Sequence, residues 1–142
     1  MNILVLGSGG REHTFAWKIK KSPLCSNLFV APGNSGTAEL ANNIHVEVND
    51  FEGIKAAVIK HKIGMVIVGP EDPLVRGIHD YFLNDKSLEK VTVIGPQRAA
   101  AQLEGSKEFA KEFLFRHDIP TAGYQSFKVN ELKKGYDLSL IH

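Results

Sequence analysis

The chain has 142 residues, 43% of them hydrophobic and 23% charged, a composition within the ordinary range for a globular domain that buries roughly 70% of its unfolded surface. Seventeen Lys and Arg against sixteen Asp and Glu leave a formal charge of +1, which gives neither the basic footprint of a nucleic-acid binder nor that of a protein held on an anionic membrane surface. Cys25 is the single cysteine and has no partner set of Cys or His at metal-ligand spacing, so neither an intramolecular disulfide nor a metal site is expected.

In chain order, Asn2 to Leu6 reads as a strand buried on both faces, a short aliphatic run stopped by glycine. The same opening run lacks the charged leader and cleavage site of a signal peptide, and nothing later is long and apolar enough to span a bilayer, so a cytoplasmic location is expected. Arg11 to Lys21 predicts a helix with Phe15, Ala16 and Ile19 on one face and a basic end ahead of Pro23. Leu28 to Ala31 and Ile44 to Val48 follow as strands, and Asp50 caps a helix whose Ile54, Ala57, Val58 and His61 share a face. Met65 to Val68 is a strand. Asp72 and Pro73 then read as the cap and first-turn proline of a helix that buries Leu74, Ile78, Tyr81 and Phe82. Val91 to Ile94 is the next strand, and the alternation of strands and helices predicts an α/β fold, a doubly wound parallel sheet over residues 1–103. Over 104–142, Ser106 caps a helix with Phe109, Ala110, Phe113 and Leu114 inward, and a strand is expected from Gly123 to Lys128. Such a short helix-strand extension cannot build a second core, so its apolar residues over 106–128 are expected to favour self-association.

In an open α/β sheet, ligands bind beyond the carboxyl ends of the strands, which directs attention to the turns there. Gly7-Ser8-Gly9-Gly10 enters a helix and offers backbone N–H groups to an anion, either as a phosphate cradle or simply as a tight turn. The string departs from a dinucleotide fingerprint: Glu12 stands at the third glycine position, and the second strand ends in Val30-Ala31-Pro32 without a ribose-binding acid. Arg11 is a candidate for a charge-assisted bond to phosphate, whereas His13 reads as a helix residue rather than a catalyst. Pro32-Gly33-Asn34 and Gly69-Pro70-Glu71 are rigid turns with polar tips, Glu71 being the candidate for sugar hydroxyls. Gly95-Pro96 carries no charged tip and reads as structural.

Taken together, Gly-Ser-Gly-Gly-Arg-Glu-His at 7–13, Pro-Gly-Asn at 32–34 and Val-Gly-Pro-Glu at 68–71 resemble the phosphoribosylamine-glycine ligases in order and spacing. Pro73-Leu74, Gly77-Ile78, Asp80, Leu103-Glu104-Gly105-Ser106-Lys107, Phe109-Ala110-Lys111, Ile119-Pro120-Thr121-Ala122 and Tyr124 extend the match to about residue 128. The resemblance implies an ATP-grasp enzyme of purine synthesis. In it ATP activates the carboxylate of glycine for attack by 5-phosphoribosylamine, with Mg²⁺ (or Mn²⁺) neutralising phosphate charge. It implies sugar-phosphate contacts at Gly9, Gly10, Arg11, Glu12, Pro32, Gly33, Asn34, Gly69, Pro70 and Glu71, and a nucleotide contact at Lys107. It assigns no catalytic residue and no metal ligand to these 142 residues, implies that neither ATP nor Mg²⁺ binds them tightly, and implies that they catalyse nothing by themselves. Two departures stand out: Thr14-Phe15 replaces a smaller residue, and the sequence after Tyr136 leaves the family pattern. The alternatives are the equivalent domain of another ATP-grasp carboxylase or ligase, and a free-standing nucleotide-binding module.

Overall fold

The computed structural model describes residues 1–139, which divide into two compact units, Met1–Gly105 and the residues from Ser106 onward. The first contains β1 (Asn2–Gly7), α1 (Gly10–Lys20), β2 (Asn27–Pro32), α2 (Ser35–Ala38), β3 (Asn42–Asn43), α3 (Phe51–Lys60), β4 (Ile63–Val68), α4 (Glu71–Arg76), α5 (Ile78–Asn84), β5 (Thr92–Ile94) and α6 (Arg98–Gly105). The strands form one sheet in the order β3-β2-β1-β4-β5, with every neighbouring pair parallel. The expected doubly wound α/β sheet is therefore present.

Side-chain alternation in the central strand accounts for the two-sided core. Leu4 and Leu6 point into a cluster with Ile54, Val58, Leu74, Ile78 and Phe82 from α3, α4 and α5. Ile3 and Val5 point the other way, against Ala16 of α1 and Leu28 and Val30 of β2. Fully burying each such aliphatic side chain contributes roughly 1.5–3 kcal/mol, and a one-residue slip would send every member of β1 to the wrong face, so the register is strongly specified. That register aligns Gly7 with Pro32 and Leu6 with Val68, which brings the turns after β1, β2 and β4 to one edge of the sheet.

Several expectations are corrected. Ile44 to Val48 is not a strand: pairing with β2 ends once Ile44 N–H donates to the Val30 carbonyl, and Val46 N–H turns back to the Ile44 carbonyl. The alternation there arises because Ile44, Val46 and Val48 each pack on the larger core cluster from an irregular segment. Phe15 is exposed on α1 and only Ala16 of its predicted face is buried, with Ile19 packed at the margin. Asp72 is not a cap. Pro70 takes that position in extended geometry, and Asp72 accepts instead from Asn49 Nδ2 and from Arg76 Nε one turn on; these two, in that order, hold its carboxyl below the usual carboxylate range. The single helix expected after it breaks at Gly77, whose φ of +96° ends α4 and begins α5. Tyr81 is partly rather than fully buried on α5, its hydroxyl donating to Glu52. The helix α6, with Ala101 in the core, had no counterpart in the sequence reading.

In the second unit, α7 (Lys107–Arg116) begins at Ser106, whose Oγ accepts from Phe109 N–H at 3.2 Å, as expected. Its predicted apolar face is not buried: Phe109 is exposed, and Ala110, Phe113 and Leu114 are half-buried. No strand forms over 123–128, because a single extended segment gains ladder bonds only beside another strand, and none is present among the described residues of this unit. Instead Lys111 Nζ donates to Thr121 Oγ1 at 2.7 Å and to the Ala122 carbonyl at 2.8 Å, tying the start of that segment to α7. The last described element of the unit is α8 (Leu132–Ser139), and the divergent tail after Tyr136 runs past the described residues.

Candidate functional site

The site is built at the switch point of the sheet, where the chain runs from β1 toward β2 on one side and later returns to β4 on the other. Gly7 ends β1 with φ of +124°, a conformation that side chains resist, and turns the chain into the amino end of α1. The first-turn amides of α1, on Gly10, Arg11 and Glu12, have no intrahelical acceptor by helix geometry, and the helix dipole favours an anion beside them. Gly9 and Gly10 are exposed, and the Arg11 side chain is 54% exposed.

Glu12 is held differently from its neighbours. It is buried, its Oε2 accepting from Gly9 N–H at 2.7 Å and its Oε1 from Arg11 Nε–H at 3.1 Å. A Cβ placed on Gly7 would lie 2.6 Å from Glu12 Cγ, and one on Gly69 would lie equally close, so both glycines exist to admit this side chain. Glu12 thus packs between the turns after β1 and β4.

The turn after β2 is joined to the turn after β1 by two bonds. Gly33 N–H donates to the Gly7 carbonyl at 3.2 Å, and Asn34 Nδ2 donates to the Ser8 carbonyl at 2.7 Å. Asn34 also caps α2: its Oδ1 accepts from Thr37 N–H while Asn34 N–H donates to Thr37 Oγ1. Thr37 is fully buried, its own proton has the Asn34 carbonyl and Asn43 Oδ1 in reach, and Asn43 Nδ2 donates to the Asn34 carbonyl at 2.8 Å. Thr37 and Asn43 were missed in the sequence. The spacing of Asn34 and Thr37 is that of a capping box and was a usable signal, whereas Asn43 arrives only through the pairing of β3 with β2.

On the far side, Gly69 N–H donates to the Leu6 carbonyl at 3.0 Å, which fixes the turn after β4 against β1. Pro70 directs the chain into α4, and Glu71 is exposed in its first turn. The structure therefore brings Gly9, Gly10, Arg11, Glu12, Pro32, Gly33, Asn34, Gly69, Pro70 and Glu71 to one edge of one sheet. Lys107 is exposed at the first position of α7, in the other unit. His13 is half-buried in α1, beside Gly36 of α2. Open clefts also lie elsewhere, among them one of 370 Å³ at the opposite edge of the sheet, between Lys20, Asn27 and Asn42, and one of 460 Å³ flanking β5, between His79, Leu88 and Thr92.

Among the described residues no group of three or more His, Cys, Asp or Glu converges as metal ligands would, and no helix is long and apolar enough to cross a membrane. Lys107 by itself does not build a nucleotide site.

Residues 1–104 match the family described as "Phosphoribosylglycinamide synthetase, N domain". The chain is 51% identical over 129 residues to a phosphoribosylamine-glycine ligase of Pasteurella multocida, covering 89% of this chain and 29% of that protein. It is 48% identical over 138 residues to one of Yersinia pestis, covering 96% and 31%. Among solved structures, the phosphoribosylamine-glycine ligase of Thermotoga maritima superimposes with a TM-score of 0.64 at 27% identity, over 97% of this chain and 30% of that one. The N5-carboxyaminoimidazole ribonucleotide synthetase of the same organism shares the fold, with a TM-score of 0.59 at 19% identity over 93% of this chain and 35% of that one. The chain thus spans about a third or less of the length of these relatives. With a family match that covers the whole sheet and all three turns of the site, the chain belongs to the phosphoribosylglycinamide synthetase N-domain family.

Proposed function

We propose that this chain is the amino-terminal, substrate-holding part of an ATP-grasp ligase that joins glycine to 5-phosphoribosylamine with hydrolysis of ATP, giving glycinamide ribonucleotide in the cytoplasm. The observation that carries the reading is the convergence of three turns at the carboxyl edge of β1, β2 and β4, tied together by Asn34, Gly33 and Gly69. In this reading the amides of Gly9 and Gly10 and the guanidinium of Arg11 receive the phosphate of the pentose, with the dipole of α1 in support. Pro32, Gly33 and Asn34 form one wall, and Gly69 and Pro70 the other. Glu71, exposed at the start of α4, accepts from the sugar hydroxyls, and Glu12 is the buried member of the group.

In this reading ATP, Mg²⁺ (or Mn²⁺) and the chemistry of glycine activation belong to the part of the ligase that follows the sheet, and the unit from Ser106 onward is read as the beginning of that part. Lys107 is proposed as its contribution to nucleotide binding. A free-standing dinucleotide module is disfavoured by Glu12 at the third glycine position and by the lack of a ribose-binding acid at the end of β2.

The test is a calorimetric titration of glycinamide ribonucleotide into the 142-residue chain. Saturable binding is expected, weakened roughly tenfold or more by Arg11→Ala and by Glu71→Gln, the scale of a lost hydrogen bond to a charged group. No binding, or equal affinity in all three proteins, contradicts the reading. Saturable binding of NAD in the same experiment would favour the dinucleotide module.

A further inference from the structure

Glu12 is the one charged side chain among the described residues that is buried, 5% exposed, and burial of a carboxylate is costly unless its oxygens are engaged. They are engaged within the protein: Oε2 by Gly9 N–H at 2.7 Å, Oε1 by Arg11 Nε–H at 3.1 Å. Its stem occupies the space over Gly7 and Gly69 that a Cβ on either would need. One side chain therefore touches the turn after β1, the turn after β4 and the guanidinium of Arg11. The Arg11 side chain is itself 54% exposed, and the bond at Nε is its one hydrogen bond to another side chain given among the described residues.

We propose that Glu12 is a positioning residue for the phosphorylated sugar, acting through Arg11, and that it makes no contact with the sugar itself. The inference rests on the sugar-phosphate reading of this edge. A planar guanidinium pinned at Nε presents its two terminal nitrogens in a fixed direction, which suits two-point capture of a phosphate. Without the bond, the Arg11 side chain would rotate freely and lose more conformational entropy on capture.

The test is a double-mutant cycle on the 142-residue chain, with ribose 5-phosphate as the probe, comparing the unsubstituted protein, Glu12→Gln, Arg11→Ala and the double variant. Glu12→Gln keeps the side-chain length and an acceptor for Gly9 N–H while removing the charge that holds Arg11. Glu12→Gln is expected to weaken binding about fivefold and Arg11→Ala roughly tenfold or more, with the double variant no weaker than Arg11→Ala. Losses that multiply in the double variant would mean that Glu12 contacts the sugar independently, and unchanged affinity in Glu12→Gln would mean that it positions nothing; either overturns the proposal while leaving the sugar-phosphate reading intact. No binding by the unsubstituted chain removes that reading, and the inference falls with it. A second measurement needs no variant: the Arg11 Nε–H signal in nuclear magnetic resonance should exchange slowly with solvent both before and after saturation with ribose 5-phosphate. Fast exchange in either state overturns the role given to Glu12.

Discussion

Asn34 and Ser8, 26 residues apart in the chain, are joined by a 2.7 Å hydrogen bond from the Asn34 side-chain amide to the Ser8 carbonyl. The same amide group caps α2 through its oxygen, so one side chain both starts a helix and fastens two turns of the site together. Replacing Asn34 by alanine removes the cap and the tie. The expected cost is about 1–2 kcal/mol in unfolding free energy, read from urea denaturation, together with weaker sugar-phosphate binding. Stability within error of the unsubstituted chain would show that the tie contributes nothing.

Gly69 has no room for a side chain because Glu12 fills the space above it. Gly69→Ala is expected to destabilise the fold by about 1–3 kcal/mol, the range for overpacking, and Glu12→Ala in the same chain to recover part of that loss. The coupling between the two substitutions is read from the four denaturation midpoints, and strict additivity would contradict the packing described.

Much of this was legible in advance, for reasons that differ between elements. β1 is buried on both faces, and β4 buries one face and half-buries the other, so their aliphatic runs left little choice of structure. The rule that ligands bind at the carboxyl ends of parallel strands then singled out turns that the fold brings to one edge, without any knowledge of how they touch. What the sequence hid was tertiary in origin. Ile44 to Val48 alternates because three apolar residues reach the same core from an irregular segment, and α6 receives its start from Asp80, whose carboxylate accepts Arg98 N–H across 18 residues of chain. The burial of Glu12 was equally invisible, since it depends on Gly69 arriving at the end of the neighbouring strand β4.

A pH dependence follows from Lys55 and Asp85, whose side chains meet at 2.6 Å. The hydrogen bond from Lys55, followed by those from Ser87, lowers the Asp85 carboxyl from 3.8 to about 2. A depressed folded-state value means that the stabilisation is present above the unfolded-state value and is lost as pH falls through the folded one. Melting temperatures measured from pH 5 to pH 2 should therefore fall less steeply over about 4 to 2 in Asp85→Asn than in the unsubstituted chain. Parallel curves would contradict the pairing.

The second unit exposes Phe109, Phe115 and Tyr124, with Phe115 81% exposed. Concentration-dependent self-association is expected in sedimentation velocity, and Phe115→Ser is expected to reduce it. A strict monomer at every concentration would show that these side chains have no affinity for one another.

The most direct test of one site shared by three turns is the backbone amide spectrum of the isotopically labelled chain during titration with glycinamide ribonucleotide. Gly9, Gly10, Arg11, Gly33, Asn34, Gly69 and Glu71 should shift together along a single binding curve, while Lys20, Asn27 and Asn42 at the opposite edge of the sheet stay in place. Shifts confined to one turn, or centred on the opposite edge, would contradict the account.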